Sequence, residues 1–296
     1  MVRRELILKS IVMIAIVVIA STAARADTYD WRNVGGLDYM TPVQDQGPVG
    51  TCWAFAAIGA LEAKFDIGWN NPNLNLNLSE QHLICDDNYQ HFDLGNWYGL
   101  GGIAGGYEFV AAGYFVDNGV TNEATLPYTQ NDTSTLWPLT NPLLYGVTAH
   151  QNWLDCTASN LKSQLQTNGP LITFMDAATD WYTPASLPLA GSNLDFGMTD
   201  YYAAKYEESG AAYHAVVLAG FVDNVNAPGG GYYIVKNSWG TEWGDAGYGY
   251  MTYAAVDGWD RTHALTGTPV FVPVPAAVLL GILGLGVVGI KLRKDA

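Results

Sequence analysis

Four residue types in this chain, taken in the order Gln46, Cys52, His214 and Asn237, are the parts of a thiol acyl-transfer site. Cys52 lies in Gln46-Gly47-Pro48-Val49-Gly50-Thr51-Cys52-Trp53-Ala54-Phe55, His214 in Tyr213-His214-Ala215-Val216, and Asn237 in Lys236-Asn237-Ser238-Trp239-Gly240. A cysteine attacks a carbonyl as its thiolate, and a helix N-terminus or a nearby imidazolium stabilises that anion. The apolar run after Cys52 reads as a helix, so Cys52 is expected at its start as a low-pKa thiolate paired with His214. The imidazole would then serve as base and afterwards as acid toward the leaving amine. Asn237 would hold the ring by accepting from its second nitrogen, which fixes the tautomer. The Gln46 side-chain amide and the Cys52 backbone N–H would face the oxyanion, each donor contributing roughly 3 kcal/mol. Taken singly, each residue has a plainer role. Cys52 would be a core thiol, His214 a core or surface histidine, Asn237 a turn residue and Gln46 a solvated loop residue. Their joint occurrence in this order carries the chemical reading.

The elements that must position these groups fall into two unlike sets. Helices are expected at Thr51–Phe65, at Leu78–Ile84 with Ser79 as N-cap, at Gly105–Asn118 ended by Gly119, and at Ser159–Thr167. Strands are expected at Pro170–Met175, His214–Val222, Gly231–Lys236 and Gly247–Tyr253, separated by glycine clusters. Residues 129–150 and 181–205 read as long loops. Helices first and strands later predict two lobes, with the nucleophile on the first and the histidine on the second. There is no internal repeat, no phosphate-binding glycine loop and no CxxC metal pair, so no metal and no organic cofactor is implied.

The ends of the chain read as export signals. Arg3, Arg4 and Lys9 precede an apolar run from Ile11 to Ala20, and Ala24-Arg25-Ala26 puts small residues at a cleavage position. Residues 1–26 are therefore expected to be a signal peptide; an uncleaved N-terminal anchor is the alternative. Ala276 to Ile290 is uncharged and is followed by Lys291-Leu292-Arg293-Lys294. Fifteen residues fall short of the ~20 of a spanning helix; including Val270 to Pro275 supplies the length. Positive charge after the span puts the tail end in the cytoplasm and the body outside. Without these ends, 6 basic and 26 acidic residues remain, a charge near −20 within a formal total of −15. Such a body repels nucleic acid, which is excluded as a partner, and anionic membrane. Three cysteines, Cys52, Cys85 and Cys156, leave one over in an exported chain. If Cys85 and Cys156 pair, the free one is Cys52; distance in sequence leaves that pairing open.

Several separated segments resemble the papain family of cysteine peptidases, which includes the cathepsins. They are Asp30-Trp31-Arg32, Thr41-Pro42-Val43-Gln44-Asp45-Gln46-Gly47, Gly50-Thr51-Cys52-Trp53-Ala54-Phe55, Leu78-Ser79-Glu80-Gln81 with Cys85, and Gly105-Gly106-Tyr107. His214-Ala215-Val216 and Asn237-Ser238-Trp239-Gly240-Thr241-Glu242-Trp243-Gly244 complete the set. The resemblance implies an α+β, papain-like two-lobe fold, a helical left lobe and a β-barrel right lobe with the cleft between, over residues 27–264. It implies peptide-bond hydrolysis through a Cys52 thioester, with substrate backbone pairing at Gly105 and Gly106 and Trp239 shielding the histidine–asparagine bond. The tail, with Val272-Pro273-Val274-Pro275, resembles bacterial PEP-CTERM sorting tails, which implies an exosortase-like processing partner for residues 265–296. A plain membrane anchor is the alternative.

The chain also departs from the family. Val49 and Ile103 occupy positions where the family has a bonded cysteine pair, and an apolar contact is expected there. Cys156 lies further on than the usual partner of Cys85. Tyr213 precedes the histidine where aspartate or asparagine is common. No inhibitory prosegment fits between Ala26 and Asp30, so latency would come from elsewhere. Two other functions use the same residues: a catalytically weak surface binding domain, and a transpeptidase in which an amine resolves the thioester.

Overall fold

The computed structural model describes residues 27–86, 89–93, 96–131, 143–176, 213–256 and 261–272. The expected signal peptide, the loop at 181–205 and the apolar tail after residue 272 lie outside them.

Helix α1 (Cys52–Gly68) is the spine of the molecule. Every residue from Cys52 to Asp66 is buried, as expected for a helix that is apolar on all sides. Helix α2 (Glu80–Cys85) starts where Ser79 Oγ accepts from the His82 backbone N–H at 3.0 Å, the N-cap expected from sequence. Helix α3 (Glu108–Asp117) packs on α1 and stops before Gly119, whose φ of +68° suits a residue without a side chain. Helix α4 (Ala158–Asn168) buries only Leu161 and Leu165, an amphipathic stripe turned to the sheet. A short helix, α5 (Tyr253–Val256), follows the last long strand.

The strands form a six-stranded antiparallel sheet. Its members are β1 (Thr28–Asp30), β7 (Leu171–Asp176), β8 (Tyr213–Asp223), β9 (Gly231–Lys236), β10 (Tyr248–Thr252) and β11 (Thr262–His263). The order is β10-β9-β8-β7-β11, with β1 taking over the edge of β8 at Gly220–Val222 where β7 leaves it at Leu218. One hydrophobic cluster surrounds α1 and α3, and a second lies within the sheet lobe under α4. The result is the expected α+β arrangement, with α1 packed against β8 at the seam. Two hairpins stand on the helical side: β2 (Gln90–Asp93) with β3 (Asn96–Gly99), and β4 (Gly101–Gly102) with β5 (Gly105–Gly106).

Four expectations are corrected. The helix expected from Gly105 begins at Glu108, because Gly105–Gly106 instead form a ladder with Gly101–Gly102. A Cβ on Gly101 would stand 2.3 Å from the Gly106 Cα, so only glycine permits that approach. The expected loop at 129–150 contains strand β6 (Leu144–Val147). Strand β12 (Pro269–Val272) pairs with β6, so Val270, Phe271 and Val272, counted toward the apolar tail, belong to the folded body. Finally, Cys85 and Cys156 are not bonded. Cys85 ends α2 beside Gln81, whereas Cys156 is packed into the sheet-lobe cluster against Leu154 O and Thr262 Oγ1. Among the described residues no helix is long and apolar enough to cross a membrane.

Strand β12 is held by rings. Phe271 meets Trp69 at 5.4 Å, Tyr145 at 5.3 Å and Phe65 at 6.3 Å between centroids, yet it is 47% exposed. Half-burial scales down the 3–5 kcal/mol of a core phenylalanine. Phe271→Ala should therefore lower stability in urea unfolding by about 1–2 kcal/mol; a change under about 0.5 kcal/mol would show that β12 does not brace α1.

Candidate active site

Cys52 is the first residue of α1, and the loop before it is pinned at three points. Gly50 N–H donates to Ile103 O at 2.7 Å, and a Cβ on Gly50 would stand 3.0 Å from the Ala104 backbone. That close approach joins the segments where Val49 and Ile103 replace the family's bonded pair. Tyr128 Oη donates to Gln46 O at 2.7 Å. Its single proton is thus committed, so Thr51 Oγ1 donates to Tyr128 at 2.8 Å. The thiol is 8% exposed and lines a pocket of about 890 Å³.

His214 stands at the start of β8 and Asn237 directly after β9, so the sheet fixes their spacing. His214 Nε2 and Asn237 Oδ1 are 2.7 Å apart. The same Oδ1 accepts the Ser238 backbone N–H at 2.8 Å. A backbone N–H only donates, so this atom is the amide oxygen and His214 carries its proton on Nε2. Nδ1 is left as the lone pair. Trp239 stacks on the imidazole at 4.5 Å with planes 25° apart and is itself met edge-on by Trp243 at 5.4 Å. This is the shielding position expected for it.

Gln46 ties the Cys52 loop to the asparagine segment. Its N–H donates to Ser238 O at 2.8 Å, its Oε1 accepts from Ser238 Oγ at 2.6 Å, and its Nε2 donates to Val49 O at 2.8 Å. One Nε2 proton remains for an oxyanion. Gly105 has open space above its Cα, while a Cβ on Gly106 would strike the Trp53 ring at 2.5 Å. The glycine ladder therefore forms a bare edge at the pocket, where an extended peptide can approach.

Burial acts against the expected ion pair of Cys52 and His214. Burial pushes the Cys52 thiol up, against the lowering effect of the Ala215 and Trp53 backbone N–H groups. Burial also holds His214 down at about 4, against the raising effect of Asn237. No hydrogen bond joins Cys52 to His214 among the described residues, and the thiol rests beside the Ala215 amide. Desolvation thus opposes the helix N-terminus at the thiol and opposes a charge on the imidazole.

A set of buried charges supports the site and escapes sequence reading. Lys236 Nζ donates to Thr41 Oγ1 at 3.0 Å, and Thr41 Oγ1 donates to Glu62 Oε2 at 2.5 Å. Glu62 Oε1 accepts the Leu78 N–H at 2.8 Å. Burial pushes Glu62 up and Lys236 down, and each opposes the shift of the other. The available signal was a carboxylate within a mostly apolar helix and a lysine beside the asparagine. No group of His, Cys, Asp and Glu among the described residues could hold a metal.

Residues 25–258 match the family described as papain family cysteine protease. The chain is similar to a cysteine protease of Blomia tropicalis, 30% identical over 226 residues, covering 75% of this chain and 60% of that protein. A digestive cysteine proteinase 2 of Homarus americanus is 32% identical over 232 residues, covering 77% and 61%. The chain thus spans about three fifths of the length of these curated relatives. Among solved structures, bromelain from Ananas comosus in complex with the E64 inhibitor gives a TM-score of 0.57 at 25% identity, covering 83% of this chain and 99% of that one. Digestive procathepsin L 3 of Tenebrio molitor gives 0.62 at 22% identity, covering 85% and 72%, a likeness of fold alone. With the family's match running across the whole body and its two-lobe architecture present, the chain belongs to the papain family of cysteine proteases.

Proposed function

We propose that the chain is an exported cysteine endopeptidase that cleaves peptide bonds through a thioester on Cys52. The observation that supports this most is the 2.7 Å contact of His214 with Asn237, because it leaves Nδ1 as the basic nitrogen. In this reading Nδ1 takes the thiol proton as sulfur bonds to the substrate carbonyl carbon. The resulting oxyanion accepts from Gln46 Nε2 and the Cys52 N–H. When the intermediate collapses, the C–N bond breaks and the imidazolium gives its proton to the leaving amine. Water, deprotonated by the same nitrogen, then cleaves the thioester and restores the thiol. Resolution by an amine in place of water would give transpeptidation, and the products distinguish the two. Export and surface attachment rest on residues 1–26 and 273–296. The apolar run and basic end of the tail support an anchor or a sorting signal, with the peptidase body outside the cytoplasm.

Mixed peptides incubated with the purified protein should be cut, and Cys52→Ala should lower the rate at least about 10⁴-fold with its melting temperature held. Mass spectrometry of the products checks this. Intact peptides with a Cys52 that still alkylates would instead support a binding domain.

The pH dependence follows from His214. Its ring must be neutral to accept the thiol proton, and burial holds its pKa at about 4. The value of kcat/KM should therefore persist through pH 5 and fall as pH drops through about 4. An acid limb centred near 6.5, the ordinary histidine value, would contradict this.

A further inference from the structure

The pocket beside Cys52 contains a charge for which the thiol chemistry has no use. Glu108, the first residue of α3, lines it while being 3% exposed. A carboxylate in the first turn suits the helix dipole, but a solvated position would serve that purpose at less cost. Glu108 is instead fixed from behind: His263 Nε2 stands 3.1 Å from its Oε1, and His263 is fully buried. The Trp153 backbone N–H donates to His263 Nδ1 at 3.4 Å, which assigns the ring proton to Nε2. The histidine therefore donates its Nε2–H to the Glu108 carboxyl group. The second carboxylate oxygen accepts no hydrogen bond among the described residues, and Glu108 is part of the pocket lining.

The walls around this oxygen are aromatic. Tyr98 packs on Tyr107 at 5.3 Å and on Phe109 at 5.2 Å, and Phe109 packs on Trp153 at 5.0 Å. The β2–β3 hairpin closes over them, since Asp93 Oδ2 accepts from Trp153 Nε1 at 2.7 Å. On the remaining wall Arg261 lies over Phe174 at 6.0 Å and Tyr213 at 5.5 Å, and no ion pair joins it to Glu108. Neither His214 nor Trp239 lines the pocket. The leaving amine must be reached by His214, so this pocket receives the acyl side of the substrate. Aromatic faces attract cations and also cover an apolar stem.

We propose that Glu108 makes this pocket a recognition site for a cationic group on the acyl side of the peptide. Two sources share that chemistry: a lysine or arginine side chain, and the free amino terminus of a short peptide. The proposal rests on the reading that the reacting carbonyl sits at Cys52, and its test does not require turnover. Full-length Cys52→Ala protein is titrated by calorimetry with N-acetylated peptides in which lysine, norleucine or Nε-acetyl-lysine occupies each acyl-side position in turn. The same peptides with a free amino terminus form the second arm. At one position lysine should bind at least 10-fold more tightly than norleucine and Nε-acetyl-lysine, or the free terminus should give that gain over the acetylated one. Glu108→Gln, which keeps an acceptor for His263, should abolish the gain. Equal affinities in both arms, or a gain that survives Glu108→Gln, would overturn the proposal. Should Glu108→Gln fail to fold, the loss of affinity on acetylating the peptide cation still decides whether a cation is recognised. A protein that cuts no peptide at all would contradict the peptidase reading and leave these binding outcomes decisive.

Discussion

A lysine buried almost completely from water governs the geometry of this site. Lys236 is 6% exposed, and its ammonium must find oxygen within the seam between the lobes. It finds Thr41, and through Thr41 the carboxylate of Glu62 on α1. The next residue in the chain is Asn237, which holds His214. The next turns of α1 toward its start lead to Cys52. One buried polar chain thus ties the end of β9 to the helix that carries the nucleophile. Removing one partner would strand a charge in the interior, at a cost of roughly 3–5 kcal/mol, so the two lobes cannot slide without losing more stability than a local contact provides.

The rest of the site follows from that fixed seam. Gln46 is clamped to Ser238 by a backbone and a side-chain bond, so the proposed oxyanion donor and the asparagine are set by the same segment. Trp239 then lies stacked on the imidazole beside the histidine–asparagine bond. Burial of this kind disfavours charge on both reacting groups. A neutral imidazole with its proton on Nε2 is the form that the proposed mechanism uses as base, with charge separating only when sulfur meets a carbonyl.

Much of this was legible in the sequence because local signals carry it. Ser79 caps a helix, Gly119 ends one, and the run from Gly231 to Lys236 is a strand with the expected bounds. The order of Gln46, Cys52, His214 and Asn237 showed the chemistry. What remained hidden depends on partners distant in sequence. Nothing near Leu144–Val147 or Pro269–Val272 says that these two strands pair, and Val270–Val272 looks equally apolar in a tail or on a sheet edge. The glycines at 105 and 106 read as a helix start until Gly101 and Gly102 are seen to need them. Cys85 and Cys156 suggested a bond by count alone, and the fold places Cys156 in the sheet-lobe cluster and Cys85 at the end of α2, outside it. The helix position of Cys52 favours its thiolate while burial opposes it, and desolvation is a property of the packed site that no motif reports.

The most direct test of this account reads the protonation state of His214. Nitrogen-15 spectra of labelled protein across pH 3 to 8 distinguish neutral imidazole, its two tautomers and imidazolium. The account predicts a neutral ring protonated on Nε2 above about pH 5, converting to imidazolium as pH falls through about 4. An imidazolium spectrum at neutral pH, lost when Cys52 is replaced by alanine, would show a preformed ion pair and contradict it.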